Sequence, residues 1–239
     1  MRVLVTRPER AATRTLERLR ALGHDPVSLP VTMAEHHPEP VREALDKPHS
    51  ALIVTSAEAV RVLQSLGASL SRHVAETVFA VGDGTAAALR ETGFTDIRIA
   101  EGTGDSMIRL FGEDFRRVAS TSPLLYLAGY PRSPALEAGL ADLGVPVTVV
   151  EAYRMRPLSV APDTIETALR DPSPDAVLLY SRETAKQFFQ VAGDQALGAL
   201  RDVPLLCLSA NVAEAVPDAL RANVRVAAAP DEESVLALL

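Results

Sequence analysis

Cysteine occurs once in the 239 residues, tryptophan not at all, and aromatic side chains make up only 4%. A single thiol forms no intrachain disulfide, and no cysteine or histidine close by in sequence gives Cys207 the spacing of a metal ligand. Set in the apolar run Pro204-Leu205-Leu206-Cys207-Leu208, it reads as a buried structural thiol. The scarcity of aromatics, the lack of a basic stripe and a net charge of -7 exclude a nucleic-acid surface. No apolar stretch reaches the length of a membrane span, and the run after Met1 is too short for a signal peptide, so the expected location is the cytoplasm. What is there is a globular balance, 47% apolar and 23% charged, with a core that must be built from Ala, Val, Leu and Ile. That composition suits helices packed on parallel strands.

Short β-branched or leucine-rich runs alternate with helical spacings throughout, the pattern of a parallel α/β sheet. The runs lie at 3–6, 50–55, 78–81, 124–127, 176–180 and 205–208. After the first, Leu16, Leu19 and Leu22 are spaced to share a helix face, and Gly23 supplies a left-handed C-terminal stop.

An internal repeat orders the chain. A shift of 121 lays Val3-Leu4-Val5 on Leu124-Leu125-Tyr126, and Leu22-Gly23 on Leu143-Gly144. A shift of 125 lays Ala51–Ser56 on Ala176–Ser181, and 127 lays Ala80-Val81-Gly82 on Cys207-Leu208-Ser209. The repeat alone suggests a division near residue 120 into two similar domains. Two extended segments, 29–33 and 149–155, fit neither unit's helices, occupy equivalent places in the two halves, and read as hinge strands.

Open α/β sheets bind ligands at the carboxyl ends of their strands, where helix N-termini present unpaired N–H groups. The turns so placed contain Arg7, Ser56, Gly82 with Thr85, Gly129 with Arg132, Ser181, and Ser209 with Asn211. Ser56 and Ser181 are also suited simply to capping helices. Gly82-Asp83-Gly84 falls short of a dinucleotide loop, because Ala87 stands where its third glycine belongs. His24, His36, His37, His49 and His73 fall in loop or helix-end contexts, and His36-His37 reads as a solvated hinge loop. No nucleophile triad, carboxylate pair or metal cluster is visible, so no metal or cofactor is expected. Tyr153, at the end of a hinge strand, is either an amphipathic plug with a wet hydroxyl or a working group.

The order of these motifs resembles the uroporphyrinogen-III synthase family over essentially the whole chain. The elements are Val3-Leu4-Val5-Thr6-Arg7-Pro8, Leu22-Gly23, Ile53–Val60, Val81–Ala86, Leu125–Gly129 with Arg132, and Val150-Glu151-Ala152-Tyr153. The resemblance implies an α/β fold of two flavodoxin-like parallel-sheet domains joined by a two-stranded β-ladder. One domain would be discontinuous, 1–33 with 156–239, the other would span 36–151, and the ladder would lie near 29–35 and 149–156.

The implied reaction is the dehydration and cyclisation of hydroxymethylbilane to uroporphyrinogen III with inversion of ring D. Loss of the terminal hydroxyl leaves an azafulvene, the last ring attacks it through its substituted carbon, and a spiro intermediate fragments and recloses. Uncatalysed closure gives the uninverted isomer, so the main task is geometric control. Tyr153 matches the family's tyrosine position and is the candidate acid toward the departing hydroxyl. Arg7, Ser56, Gly82, Thr85, Gly129, Arg132, Ser181, Ser209 and Asn211 are the candidate substrate-binding residues. The expected enzyme is a cofactor-free monomer whose partner is this small molecule, with neither nucleic acid nor membrane. The sequence departs from the family pattern at Ala128, which costs a carboxylate partner, at Arg182, and at Val212, where a hydroxyl is lost. These departures leave open a second reading, a non-catalytic tetrapyrrole-binding or sensor protein of the same fold.

Overall fold

The structure is a computed structural model describing residues 1–118, 122–170 and 172–239. Its strands in chain order are β1 (Arg2–Val5), β2 (Asp25–Ser28), β3 (Thr32–His36), β4 (Leu52–Val54), β5 (Thr77–Ala80), β6 (Asp96–Ile99), β7 (Leu124–Tyr130), β8 (Val147–Pro157), β9 (Ala176–Leu179), β10 (Leu205–Cys207) and β11 (Val224–Val226). They form a five-stranded sheet in the order β2-β1-β9-β10-β11 and a six-stranded sheet in the order β3-β8-β7-β4-β5-β6. The chain divides into two compact units, Met1–Met33 with Arg156–Leu239, and Ala34–Met155.

Within the first unit every described strand pairing is parallel, and the order 2-1-3-4-5 within that sheet is the flavodoxin order. The second unit has the same order once the repeat is applied. There β8-β7 stand where β2-β1 stand, and β4-β5-β6 stand where β9-β10-β11 stand. The five-stranded sheet therefore takes two strands from the first sequence repeat and three from the second, and the six-stranded sheet takes β7 and β8 from the second and β4, β5 and β6, with β3 added at its edge, from the first. This is why the repeat's own junction near 120, outside the described residues, is not a boundary between units. The exchange makes the chain pass from unit to unit twice, once within β3 and once within β8. These two segments run antiparallel. The His37 N–H donates to the Ala152 carbonyl at 2.8 Å, and the Leu158 N–H to the Val31 carbonyl at 2.9 Å.

The central strands are covered on both faces, which explains their unbroken apolar runs. Along β7, Leu124, Tyr126 and Ala128 enter one cluster with Ile53, Phe79 and Phe111, while Leu125 and Leu127 enter another with Leu52, Val54 and Leu63. The first unit alternates in the same way: Leu4 packs with Phe188, and Val3 and Val5 pack with Leu178 and Leu206. Cys207 is fully buried, and burial pushes its thiol up to about 11.

Three local expectations need correction. The helix Glu9–Ala21 buries Ala12, Thr15 and Leu19, whereas Leu22 is 59% exposed. Leu22 is already the C-cap, where the chain leaves the helix axis. Gly23 closes that end at φ +81, with the His24 N–H reaching the Leu19 carbonyl at 2.9 Å. Secondly, the first hinge strand begins at Thr32, because Leu29 and Val31 are fully committed to the core of the first unit. Thirdly, His36 is no solvated loop residue: it ends β3 and binds the buried Glu58, Nε2 to Oε2 at 2.9 Å.

Candidate functional site

All the candidate residues except Tyr153, which lies within β8, fall at or just beyond carboxyl ends of parallel strands. On the six-stranded sheet, β4 ends in Thr55 and Ser56, β5 in Val81 and Gly82, and β7 in Gly129 and Tyr130. Ser56 caps the helix Ala57–Ser65, its Oγ accepting the Glu58 N–H at 3.1 Å, and the same side chain lies beside the Tyr153 phenol. Capping and contact with the site are thus compatible in one residue.

Tyr153 reaches this edge through an irregularity in the β7–β8 pairing. The register shifts between Ala128 and Gly129, after which Gly129 lies opposite Tyr153. Gly129 carries the tyrosine ring directly on its backbone, where a Cβ would stand 2.8 Å from Cε2 and closer still to Cζ and the hydroxyl oxygen. Burial lifts the Tyr153 phenol above its ordinary 10.0, outweighing the opposing influence of the Ser56 hydroxyl beside it, so it holds its proton throughout the neutral range.

Two neighbours of this tyrosine, Tyr126 and Glu58, are not marked as site residues by any sequence pattern. Tyr126 is buried, bonds the Thr55 hydroxyl at 3.1 Å, and is likewise raised by burial. Glu58, also buried, is held by His36 on one oxygen and Arg61 on the other. Tyr126 was hidden because it sits inside an apolar strand run, and Glu58 because a glutamate in a first helical turn is ordinary. Arg132 is exposed and its Nε donates to Glu137 Oε1 at 2.6 Å. Gly82 precedes the helix Asp83–Glu91 in extended backbone and provides no side-chain cap, while Thr85 is buried in that helix's first turn.

The edge of the five-stranded sheet carries Arg7, Ser181, Ser209 and Asn211. Ser181 caps the helix Arg182–Ala199 through the Thr184 N–H at 3.1 Å. Ser209 stands before the short helix Ala210–Ala213, and Asn211 is exposed on it. Arg7 is no free cation. It bonds Glu232 and Thr15, each at 2.9 Å, and its guanidinium lies 4.1 Å over the Tyr180 ring.

The departures from the family pattern also find their places. Ala128 is fully buried against Ile53 and Phe79, so its side of β7 is core. Val212 is core in the first unit, and Arg182 is exposed and pairs with Glu214 at 3.4 Å. The missing groups at 128 and 212 are thus replaced by apolar packing. Among the described residues no helix is long and apolar enough to cross a membrane.

Comparison with known proteins gives consistent answers. Curated proteins provide no match. Among solved structures, the uroporphyrinogen-III synthetase of Helicobacter pylori aligns with a TM-score of 0.65 at 17% identity, over 100% of this chain and 98% of that one. A mutant uroporphyrinogen III synthase of the extremely thermophilic bacterium Thermus thermophilus aligns with a TM-score of 0.58 at 24% identity, over 90% of this chain and 87% of that one. At such identities the likeness carries the fold. The family model described as uroporphyrinogen-III synthase HemD matches residues 13–237. With that match spanning nearly the whole sequence on a fold its structural relatives share, the chain belongs to the uroporphyrinogen-III synthase family, the enzymes that close hydroxymethylbilane into uroporphyrinogen III.

Proposed function

We propose that Tyr153 assists departure of the substrate hydroxyl at the carboxyl edge of the six-stranded sheet, with the Ser56 hydroxyl beside the phenol and Gly129 supplying the floor beneath it. The observation that carries this reading is the phenol itself: a partly buried, protonated tyrosine hydroxyl on β8 opposite the end of β7, seated on a residue without a side chain. Its hydrogen bond to the leaving oxygen would let that oxygen depart as water, the phenol proton being restored from solvent. Ring closure through the substituted carbon then depends on how the chain's ends are held.

The substrate carries eight carboxylates and the chain is at -7, so the attraction must be local. Backbone N–H groups at helix starts bind carboxylates without net positive charge. The helix Asp83–Glu91 lacks a side-chain cap, which supports this role at its start beside Gly82; Thr85, whose N–H donates to the Gly82 carbonyl at 3.1 Å, is assigned to the substrate through its hydroxyl. Arg132 adds an exposed guanidinium that its partner Glu137 can release. Ser181, Ser209 and Asn211 are assigned the same duty on the other sheet's edge. Arg7, engaged by Glu232, is assigned to holding that edge together. The enzyme is read as a cytoplasmic monomer that needs no cofactor.

The direct test mixes the protein with freshly made hydroxymethylbilane and separates the product isomers. The inverted isomer, formed faster than the blank closes, is expected; uninverted product alone at the blank rate would sink the reading. Tyr153→Phe should lower turnover while leaving folding and substrate affinity nearly unchanged. General acid assistance is worth about 10²–10⁴-fold, and because this leaving group ionises readily the low end of that range or less is expected. Since burial raises the phenol, any alkaline limb of kcat/KM owed to Tyr153 should lie above pH 10.0. Full activity in the Phe variant, with an unchanged isomer ratio and melting temperature, would remove Tyr153 from the mechanism.

A further inference from the structure

Two of the chain's five histidines converge where no spacing in the sequence pointed to a cluster. His49 lies in the loop entering β4, and His73 and Glu76 lie in the turn entering β5. These are the amino ends of the strands, the edge opposite the one that carries Ser56 and Gly82. Glu76 stands between the two rings, its Oε2 at 2.9 Å from His49 Nε2 and its Oε1 at 2.7 Å from His73 Nδ1. The rings are stacked with centroids 6.3 Å apart, and the three potential ligand atoms all lie within 4.8 Å of one another. Both imidazoles are shielded, at 8% side-chain exposure each, while Glu76 at 31% leaves an opening to solvent.

We propose that His49, His73 and Glu76 form a binding site for one divalent transition-metal ion, with zinc(II) the ion the ligands suit best. Two imidazole nitrogens and one carboxylate, with a fourth position open to water, are a donor set that zinc accepts in tetrahedral geometry. The outer contacts fit as well. The His49 Nδ1–H donates to the Lys47 carbonyl at 2.7 Å, which turns Nε2 toward Glu76. A ligating histidine is oriented by this kind of bond from its other nitrogen.

His73 needs one adjustment. Arg72 Nε donates to its Nε2 at 3.1 Å, so its ring proton sits on Nδ1, facing Glu76. Coordination through Nδ1 would move that proton to Nε2 and release Arg72. The arginine is exposed and already paired with Asp46, so it has somewhere to go. Any proton on His49 Nε2 leaves to solvent as the ion enters. The bound ion would tie the loop before β4 to the turn before β5, a structural clamp on the six-stranded sheet, independent of the reaction at the other edge.

The test uses the full chain, freed of metal, and titrates it with cobalt(II) as a spectroscopic stand-in for zinc(II). The expected result is one equivalent of cobalt with the intense visible absorption of a four-coordinate site, displaced by one equivalent of zinc, and a zinc-dependent rise in melting temperature. His49→Gln and His73→Gln should each weaken binding by more than the about 10–100-fold that losing an outer contact costs. His36→Gln and His37→Gln should bind like the unaltered chain. Circular dichroism on each variant separates loss of a ligand from loss of fold. Should the His49 and His73 variants not fold, imidazole NMR of the unaltered chain decides: only the two signals other than His24, His36 and His37 should move on adding zinc. No four-coordinate absorption, binding unchanged in folded His49→Gln and His73→Gln, or shifts confined to the other histidines would each overturn the proposal.

Discussion

Gly129→Ala should remove most of the turnover while leaving the protein folded. The added methyl would overlap the Tyr153 ring at Cζ and its hydroxyl and come within 2.8 Å of Cε2. The flanking backbone is a paired strand, with Leu127 and Ala128 fully buried, and has little freedom to yield. The ring must therefore swing, carrying the hydroxyl away from Ser56. Overpacking of this kind costs about 1–3 kcal/mol of stability. The loss of turnover should equal or exceed that of Tyr153→Phe, hence on the order of 10²-fold, because the displaced ring also disturbs the space beside it. The double variant Gly129→Ala/Tyr153→Phe should be little slower than Gly129→Ala alone, since both changes act on one hydroxyl. Multiplied losses in the double variant, or full activity with an unchanged isomer ratio in Gly129→Ala, would separate the glycine from the tyrosine's role.

The second large effect concerns which pieces of chain fold. A fragment spanning 32–157 carries all six strands of its sheet and both of its clusters, and should melt cooperatively on its own. A fragment spanning 158–239 should not. It lacks β1, which pairs with β9 and β2 on either side and brings the fully buried Val3, Leu4 and Val5. Without β1, Ala176–Leu179 becomes an exposed apolar edge and Phe188 loses Leu4 and Leu29 from its cluster. Supplying residues 1–31 as a separate peptide should restore helical circular dichroism and amide protection. Cooperative melting of 158–239 alone, or a random-coil 32–157, would show that the cores depend on one another in some other way.

The strands that sequence pattern revealed and those it missed differ by position in the sheet. β1, β4, β5, β7, β9 and β10 are interior, covered on both faces, and so appear as short apolar runs. β2 and β11 are edge strands: Asp25-Pro26-Val27-Ser28 is only half covered, and in Val224-Arg225-Val226 Val224 is half-buried while Arg225 and Val226 are exposed. An edge strand needs no continuous apolar face and tolerates a proline, so neither carries the signal by which strands are read. The helix caps at Ser56, Ser181 and Gly23 were legible because capping is chemistry between near neighbours.

Around the candidate site the same division holds. Tyr153, Ser56 and Gly129 could each be named from strand-end position and family resemblance, but their meeting depends on a register shift at Ala128/Gly129 that no local pattern encodes. Nothing near Arg7 in the sequence shows that Glu232, 225 residues away, holds it. His49, His73 and Glu76 stand in ordinary loop contexts and meet only because β4 and β5 lie side by side.

By itself the sequence determined the interior strands, the helices between them, their caps, and the existence of a repeat, because each follows from apolar periodicity or short-range hydrogen bonding. Only the tertiary structure decided which copy of the repeat each strand joins. Val3-Leu4-Val5 and Leu124-Leu125-Tyr126 offer a neighbouring strand much the same apolar faces, so local pattern cannot choose between β4 and β9 as a partner. That choice belongs to long-range closure, made where β3 and β8 run on as extended, paired segments instead of turning back.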